Sequence, residues 1–223
     1  GDVVVPFGSV ASAESFAADC GGEVVDWAAL RERSFDVDLA GDVRERVGPQ
    51  NARATEAVAA SRAFLDREVE VVVGADAPTV QAALDAAAPN ATVLVPPGTY
   101  EERIRITKPV TLRGQNATLR GDGNGTVVEV RADDVAITGF HIEGVGNATR
   151  EPGTDLGAPA EEWDARFERA YGQGDAGVGV ANVTGTYVGD VTIETPANGM
   201  IFLNAPGGVI EDGRADAGGF ERA

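Results

Sequence analysis

Two five-residue patterns return along this chain at nearly fixed spacing. Val110-Thr111-Leu112-Arg113-Gly114 recurs as Val135-Ala136-Ile137-Thr138-Gly139, and Ala117-Thr118-Leu119-Arg120-Gly121 as Phe140-His141-Ile142-Glu143-Gly144. Further copies stand at Val191-Thr192-Ile193-Glu194, Ile201-Phe202-Leu203-Asn204 and Val209-Ile210-Glu211-Asp212. Each copy is too short for a helix, and most alternate apolar with polar residues, as a half-buried strand does. A repeat of roughly 20 to 25 residues with two or three such strands and no helix between them buries its apolar residues only by stacking coil on coil. The spacing therefore predicts an all-β fold, a right-handed parallel β-helix solenoid. A sandwich built from hairpins would show no such period.

The flanking segments fit that architecture. Val69 to Val73 and Thr92 to Val95 read as strands, as do Ile104 to Ile106 and Val127 to Val130. Between the first two, Pro78 to Ala88 carries Val80, Ala83, Leu84 and Ala87 at helical spacing, with Pro78 in the first turn, so the helix has one apolar side. The first coil of a solenoid exposes a sheet edge and an open core, and this helix is expected to cap them. No comparable cap is legible after Val209 to Asp212, so further coils or a stacking partner are expected there. Residues 1–72 read as a mostly helical lead-in, with helical stretches at Val24 to Arg33 and Asn51 to Arg67, turns at Gly41 and Gly48-Pro49, and Asn51 as an N-cap. Residues 73–223 form the solenoid, interrupted by a helical insertion at about 150–176.

Charge narrows the environment. The 18 basic and 36 acidic side chains give a net charge of −18, which repels phosphate backbones and anionic lipid and speaks against nucleic acid as a partner. Lys108 is the only lysine among the basic residues. Many carboxylates with arginine and alanine suit molar salt, where repulsion is screened within about 3 Å, so low salt is expected to loosen the fold. One cysteine (Cys20), one methionine and one histidine leave few soft ligands for a copper or zinc site held wholly in the chain, and no metal or cofactor is expected. No run of 18 apolar residues is present to span a membrane. The chain opens at Gly1 with no apolar leader, so any export signal is expected to have been removed.

Five of the eight asparagines, Asn90, Asn116, Asn124, Asn147 and Asn182, stand in Asn-x-Thr with no proline at x, where chance supplies roughly one. The motif accepts N-glycans, which implies export to the cell surface or medium. The same triplet suits a turn entering a strand, because asparagine tolerates left-handed backbone and threonine favours sheet. Both readings stand on the sequence.

The stretch Thr79-Val80-Gln81-Ala82-Ala83-Leu84-Asp85-Ala86-Ala87, then Thr92-Val93-Leu94-Val95-Pro96-Pro97-Gly98-Thr99-Tyr100-Glu101-Glu102, then Ile106 to Gly114, resembles the opening of NosD-like proteins. These are exported β-helix proteins of the carbohydrate-binding and sugar-hydrolase repeat superfamily. The Val-x-Ile-x-Gly-Phe-x-Ile pattern at Val135 to Ile142 is similar to their repeat, and the resemblance covers Val73 to Gly146. It implies an extracytoplasmic accessory protein that works with an ABC-type transporter in maturing the copper centres of nitrous oxide reductase. The same opening is shared with pectin methylesterases, pectate lyases and other β-helix proteins acting on polysaccharides, which keeps a carbohydrate-binding or polysaccharide-processing reading open.

The residues that could carry catalysis are few. A pectin-type esterase needs facing carboxylic groups with glutamines at the oxyanion site, and the four glutamines (50, 81, 115 and 173) stand in no such motif. Asp133-Asp134 and Asp122-Gly123-Asn124 have the residue types for a lyase or glycosidase, and both also read as turns. His141 occupies an outward strand position with no cysteine or second histidine beside it. No catalytic residue is assigned, and the chain reads as a non-catalytic scaffold. Within the insertion, Trp163, Phe167 and Tyr171 recur every four residues, one aromatic stripe on a helix. Such a stripe serves as a contact for a protein partner or a sugar, or packs on the solenoid flank.

Overall fold

The computed structural model describes residues 5–32, 38–149 and 172–217. The chain divides into two compact units, Gly1–Arg53 and Ala54–Ala223. In the first, helix α1 (Val10–Cys20) starts at Ser9, whose hydroxyl accepts from the Ser12 N–H, and ends at Gly21 with φ 77°. Phe7 and Phe16 meet with ring centroids 5.2 Å apart, and with Trp27 and Leu30 of α2 (Trp27–Glu32) they line an apolar pocket of about 400 Å³. Helix α3 (Asp38–Arg62) runs through Gly41, Gly48 and Pro49. The expected break at Gly48-Pro49 is therefore absent, and Asn51 lies inside the helix instead of capping it. A proline deletes one N–H and bends the axis, and the alanine- and arginine-rich turns after it are strong enough helix formers to carry the helix on.

The second unit is a parallel β-solenoid of about six turns. Its strands are β1 (Val69–Val72), β2 (Thr92–Val95), β3 (Thr99–Tyr100), β4 (Ile104–Ile106), β5 (Thr111–Arg120), β6 (Val128–Val130), β7 (Ala136–Glu143), β8 (Ala176–Ala181), β9 (Tyr187–Thr195), β10 (Asn198–Leu203) and β11 (Val209–Ala217). A long sheet is ordered β1-β2-β5-β7-β9-β11, with β3 also on β5, and a second is ordered β10-β8-β6-β4. Strand β8, Ala-Gly-Val-Gly-Val-Ala, is missing from the sequence expectation because its alternation is of valine with glycine, which reads as loop.

Stacking in register builds the core. Val71, Val93, Leu112, Ile137 and Val188 pair rung upon rung along the long sheet as one interior column, which Ile210, half exposed on the last described strand, continues, and Leu119, Ile142 and Ile193 form a second interior column. On the other sheet, Ile104, Val128, Val178 and Met200 align. Leu112, Ile137, Leu119, Ile142 and Ile193 are fully buried.

The two sequence spacings acquire a cause here. Thr111 pairs with Ala136 and Ala117 with Phe140, so the offset falls from 25 to 23 where an irregularity sits between Arg113 and Ala117. The residue opening the second half of each long strand has left-handed backbone: Asn116 (φ 58°), Gly139 (77°), Asp190 (49°) and Asp212 (50°). Asn, Asp and Gly are the residues that tolerate this. The turn resets the alternation, so Ile137 and Phe140 both reach the core although three positions apart.

Helix α4 (Val80–Ala86) closes the first coil, with Val80, Ala83 and Leu84 buried. Thr79 is the N-cap, placing Pro78 just before the helix and not in its first turn. The Glu102 carboxylate accepts from the N–H groups of Val80 and Gln81, and Lys108 Nζ donates to the carbonyls of Asp85 and Ala87. Opposite charges thus meet the two ends of the helix dipole. The Gln81 amide donates to Arg105 O and accepts from Arg105 N, satisfying the edge of β4 as another strand would. Replacing Lys108 with methionine is expected to cost about 1 kcal/mol and to lower the unit's thermal midpoint by roughly 2–4 °C, read by circular dichroism in molar salt.

A strap crosses the outside of the long sheet. Val58, Phe64 and Leu65 pack on Ala136, Tyr187 and Val209, the column of outward residues at the strand starts. The same column continues in Thr111 and Thr92, whose hydroxyls donate to the carbonyls of Phe64 and Arg67. Arg113 donates to Leu65 O, Arg67 to Asp134 O, and Arg62 grips Glu211 with both Nε (2.7 Å) and Nη2 (2.5 Å). Coils far apart in sequence are held by one short segment. The Arg62 hydrogen bond holds the Glu211 carboxyl below its ordinary value, with the Tyr187 hydroxyl adding to the effect. A depressed carboxyl contributes stability above its unfolded value, about 4.3, and loses it as pH falls through the folded value. The gap in urea midpoint between the native chain and Glu211→Gln is therefore expected to be present at pH 7 and to narrow on titration below pH 4.

Candidate functional site

Beyond the strap, the outer face of the long sheet carries polar and charged side chains that, among the described residues, are half-buried or exposed. In β7 the side chains of Phe140 and Ile142 point inward and are buried, which turns His141 and Glu143 outward; in β9, Val191 and Ile193 do the same for Thr192 and Glu194. The parallel register aligns these outward residues into two columns. One holds Thr118, His141, Thr192 and Arg214, and the other Arg120, Glu143, Glu194 and Asp216.

Charges meet within and across the columns. Arg120 Nε donates to Glu143 Oε1 at 2.6 Å, and Arg120 Nη1 lies 3.6 Å from Glu101. Glu143, with help from Glu101, raises the Arg120 guanidinium above its ordinary value. His141 Nε2 stands 3.6 Å from Glu194 Oε1 and 3.9 Å from Glu143 Oε2. Arg214 Nε donates to Asp216 at 2.9 Å. Glu143, Glu194 and Asp216, with Gly144, Thr195 and Pro196, line a shallow groove of about 440 Å³. The site therefore offers one imidazole nitrogen, three carboxylates and two guanidiniums on a rigid backbone.

The sequence placed His141 outward but did not join it to Glu143 and Glu194. The signal was present, since the repeat aligned Phe140-His141-Ile142-Glu143 with Val191-Thr192-Ile193-Glu194; what it lacked was the knowledge that these two copies are neighbouring coils despite their separation in sequence. Asp122 and Asp133-Asp134 prove to be turn formers. Asp122 Oδ1 accepts from Asn124 N, Asp133 Oδ1 from Thr184 N, and Asp134 has φ 55°. Asn90, Asn116, Asn124, Asn147 and Asn182 are all exposed. Three of them, Asn90, Asn116 and Asn182, have left-handed backbone, as a turn requires. Asn182 also accepts from the Asn204 amide at 3.0 Å, the two stacked on successive coils. Trp163, Phe167 and Tyr171 lie outside the described residues. No described helix is long and apolar enough to cross a membrane. The chain matches no protein-family model, no curated protein and no solved structure.

Proposed function

We propose that this chain is a non-catalytic, extracytoplasmic scaffold of the NosD-like kind, which presents its solenoid to protein partners. The observation that carries the reading is the outer face of the long sheet. Its hydroxyl, carboxylate and guanidinium groups repeat at the strand spacing over successive coils as a flat, polar, ion-paired ladder. A surface of this shape suits an extended protein contact with complementary charge, where the ladder sets register and specificity. By the resemblance at Thr79 to Gly114, the partners are an ABC-type transporter and a copper reductase. Exposure of all five Asn-x-Thr asparagines supports glycosylation at the cell surface.

The test is cross-linked co-purification of the tagged protein from its own membranes at molar salt, with mass spectrometry of what accompanies it. Transporter or reductase subunits, lost on reversing charge in the double variant Arg120→Glu with Glu194→Arg, support the scaffold. Polysaccharide without protein partners supports the carbohydrate-binding alternative and removes the scaffold reading. The intact mass of the same material is expected to exceed the polypeptide mass by discrete glycan increments, and an unmodified mass would remove the glycosylation reading.

A further inference from the structure

We propose that His141, Glu143 and Glu194 bind a divalent first-row transition-metal ion on the outer face of the long sheet. One ligand atom from each residue, the imidazole nitrogen and two carboxylate oxygens, lies within 4.8 Å of the others. A tetrahedral ion with bonds near 2.0–2.1 Å separates its ligand atoms by about 3.4 Å. The His141 distances, 3.6 Å to Glu194 and 3.9 Å to Glu143, need only small contraction, and the Glu194 side chain, 63% exposed, is free to supply it.

Two further features favour a cation. Glu143, Glu194 and Asp216 occupy successive rungs of one column, and like charges directly opposite across a sheet destabilise it. Arg120 relieves Glu143 and Arg214 relieves Asp216; among the described residues His141 is the one basic partner of Glu194. Counting Glu101, four carboxylates face two guanidiniums, a local excess that a dication neutralises. Arg120 also fixes Glu143 through Oε1 and leaves Oε2 turned toward His141, the orienting role that outer partners play around metal-bound carboxylates. One imidazole with two carboxylates is a borderline donor set, suited to zinc and its first-row neighbours more than to calcium or magnesium. Three protein ligands leave a position open toward the groove. This inference rests on the geometry of the cluster and is independent of the scaffold's partner.

The experiment is calorimetric titration of the full chain, carrying no histidine tag, with Zn²⁺ in molar sodium sulfate. Saturable binding of one ion per chain is expected. His141→Gln and Glu194→Gln should each weaken it at least tenfold, and Glu129→Gln, on the other sheet, should leave it unchanged. Because the chain has a single histidine, its imidazole signals are unambiguous in nitrogen-detected NMR, and Zn²⁺ is expected to shift them in the unmodified protein. This second readout stands even if a variant fails to fold. The proposal is overturned if no saturable binding appears up to millimolar Zn²⁺, if binding survives His141→Gln, or if the imidazole signals do not move.

Discussion

Replacing Gly139 with alanine is expected to destabilise the solenoid unit by at least about 3 kcal/mol, a fall in thermal midpoint of roughly 6–12 °C. Two costs add at this position. Gly139 has φ 77°, which an L-residue adopts only with strain, and a Cβ there would run into the Gly114 carbonyl of the preceding coil. Gly114 is placed reciprocally, its own Cβ position meeting the Gly139 carbonyl. Backbone meets backbone, so no side chain can swing away. Gly123 separates the two costs, because it has φ 79° but open space around its Cβ position. Gly123→Ala should lose only the conformational part, about 1 kcal/mol. Equal losses at Gly139 and Gly123 would show that coil-to-coil contact at the glycine stack contributes nothing.

The second large effect is expected at Ile142. This side chain is fully buried between Leu119 and Ile193 in the interior column, so truncation to alanine leaves a cavity whose walls belong to three successive coils. A loss of about 3–4 kcal/mol is expected, at the level measured for buried Ile or Leu to Ala changes. The neighbouring outward residue gives the contrast: His141→Ala should change stability by no more than about 0.5 kcal/mol. Chemical denaturation of the two variants in molar salt decides it. Since a one-residue shift in register exchanges the two faces of a strand, similar losses at both positions would contradict the assigned alternation.

Much of this arrangement is legible in the sequence. The apolar positions of Val110 to Gly114 and Val135 to Gly139 recur at one spacing and those of Ala117 to Gly121 and Phe140 to Gly144 at another, and these offsets are the strand register that the solenoid adopts. The capping helix was readable from the stripe Val80, Ala83, Leu84, Ala87, since a one-sided helix must bury that side. What could not be read was how the cap is held. Gln81, Glu102 and Lys108 are ordinary polar residues in a list, and they act as a substitute strand edge and as two helix caps only once the first coils bring them to the ends of α4. The strap was hidden for the same reason. Its anchors, Phe64 to Thr111 and Arg62 to Glu211, join positions 47 and 149 residues apart.

The sequence by itself therefore determined most of the repeating parts: the strands with β-branched alternation, though not the glycine-rich β8, their inward and outward faces, the left-handed corners that Asn, Asp and Gly permit, and the need for a cap. These follow from local sterics and from hydrophobic periodicity, which act over a few residues. Only the tertiary structure decided which coils are neighbours across the insertion, and hence that His141, Glu143 and Glu194 share one patch. Stacking converts a distance along the chain into a single rung spacing, and no local pattern states how many residues that rung will span.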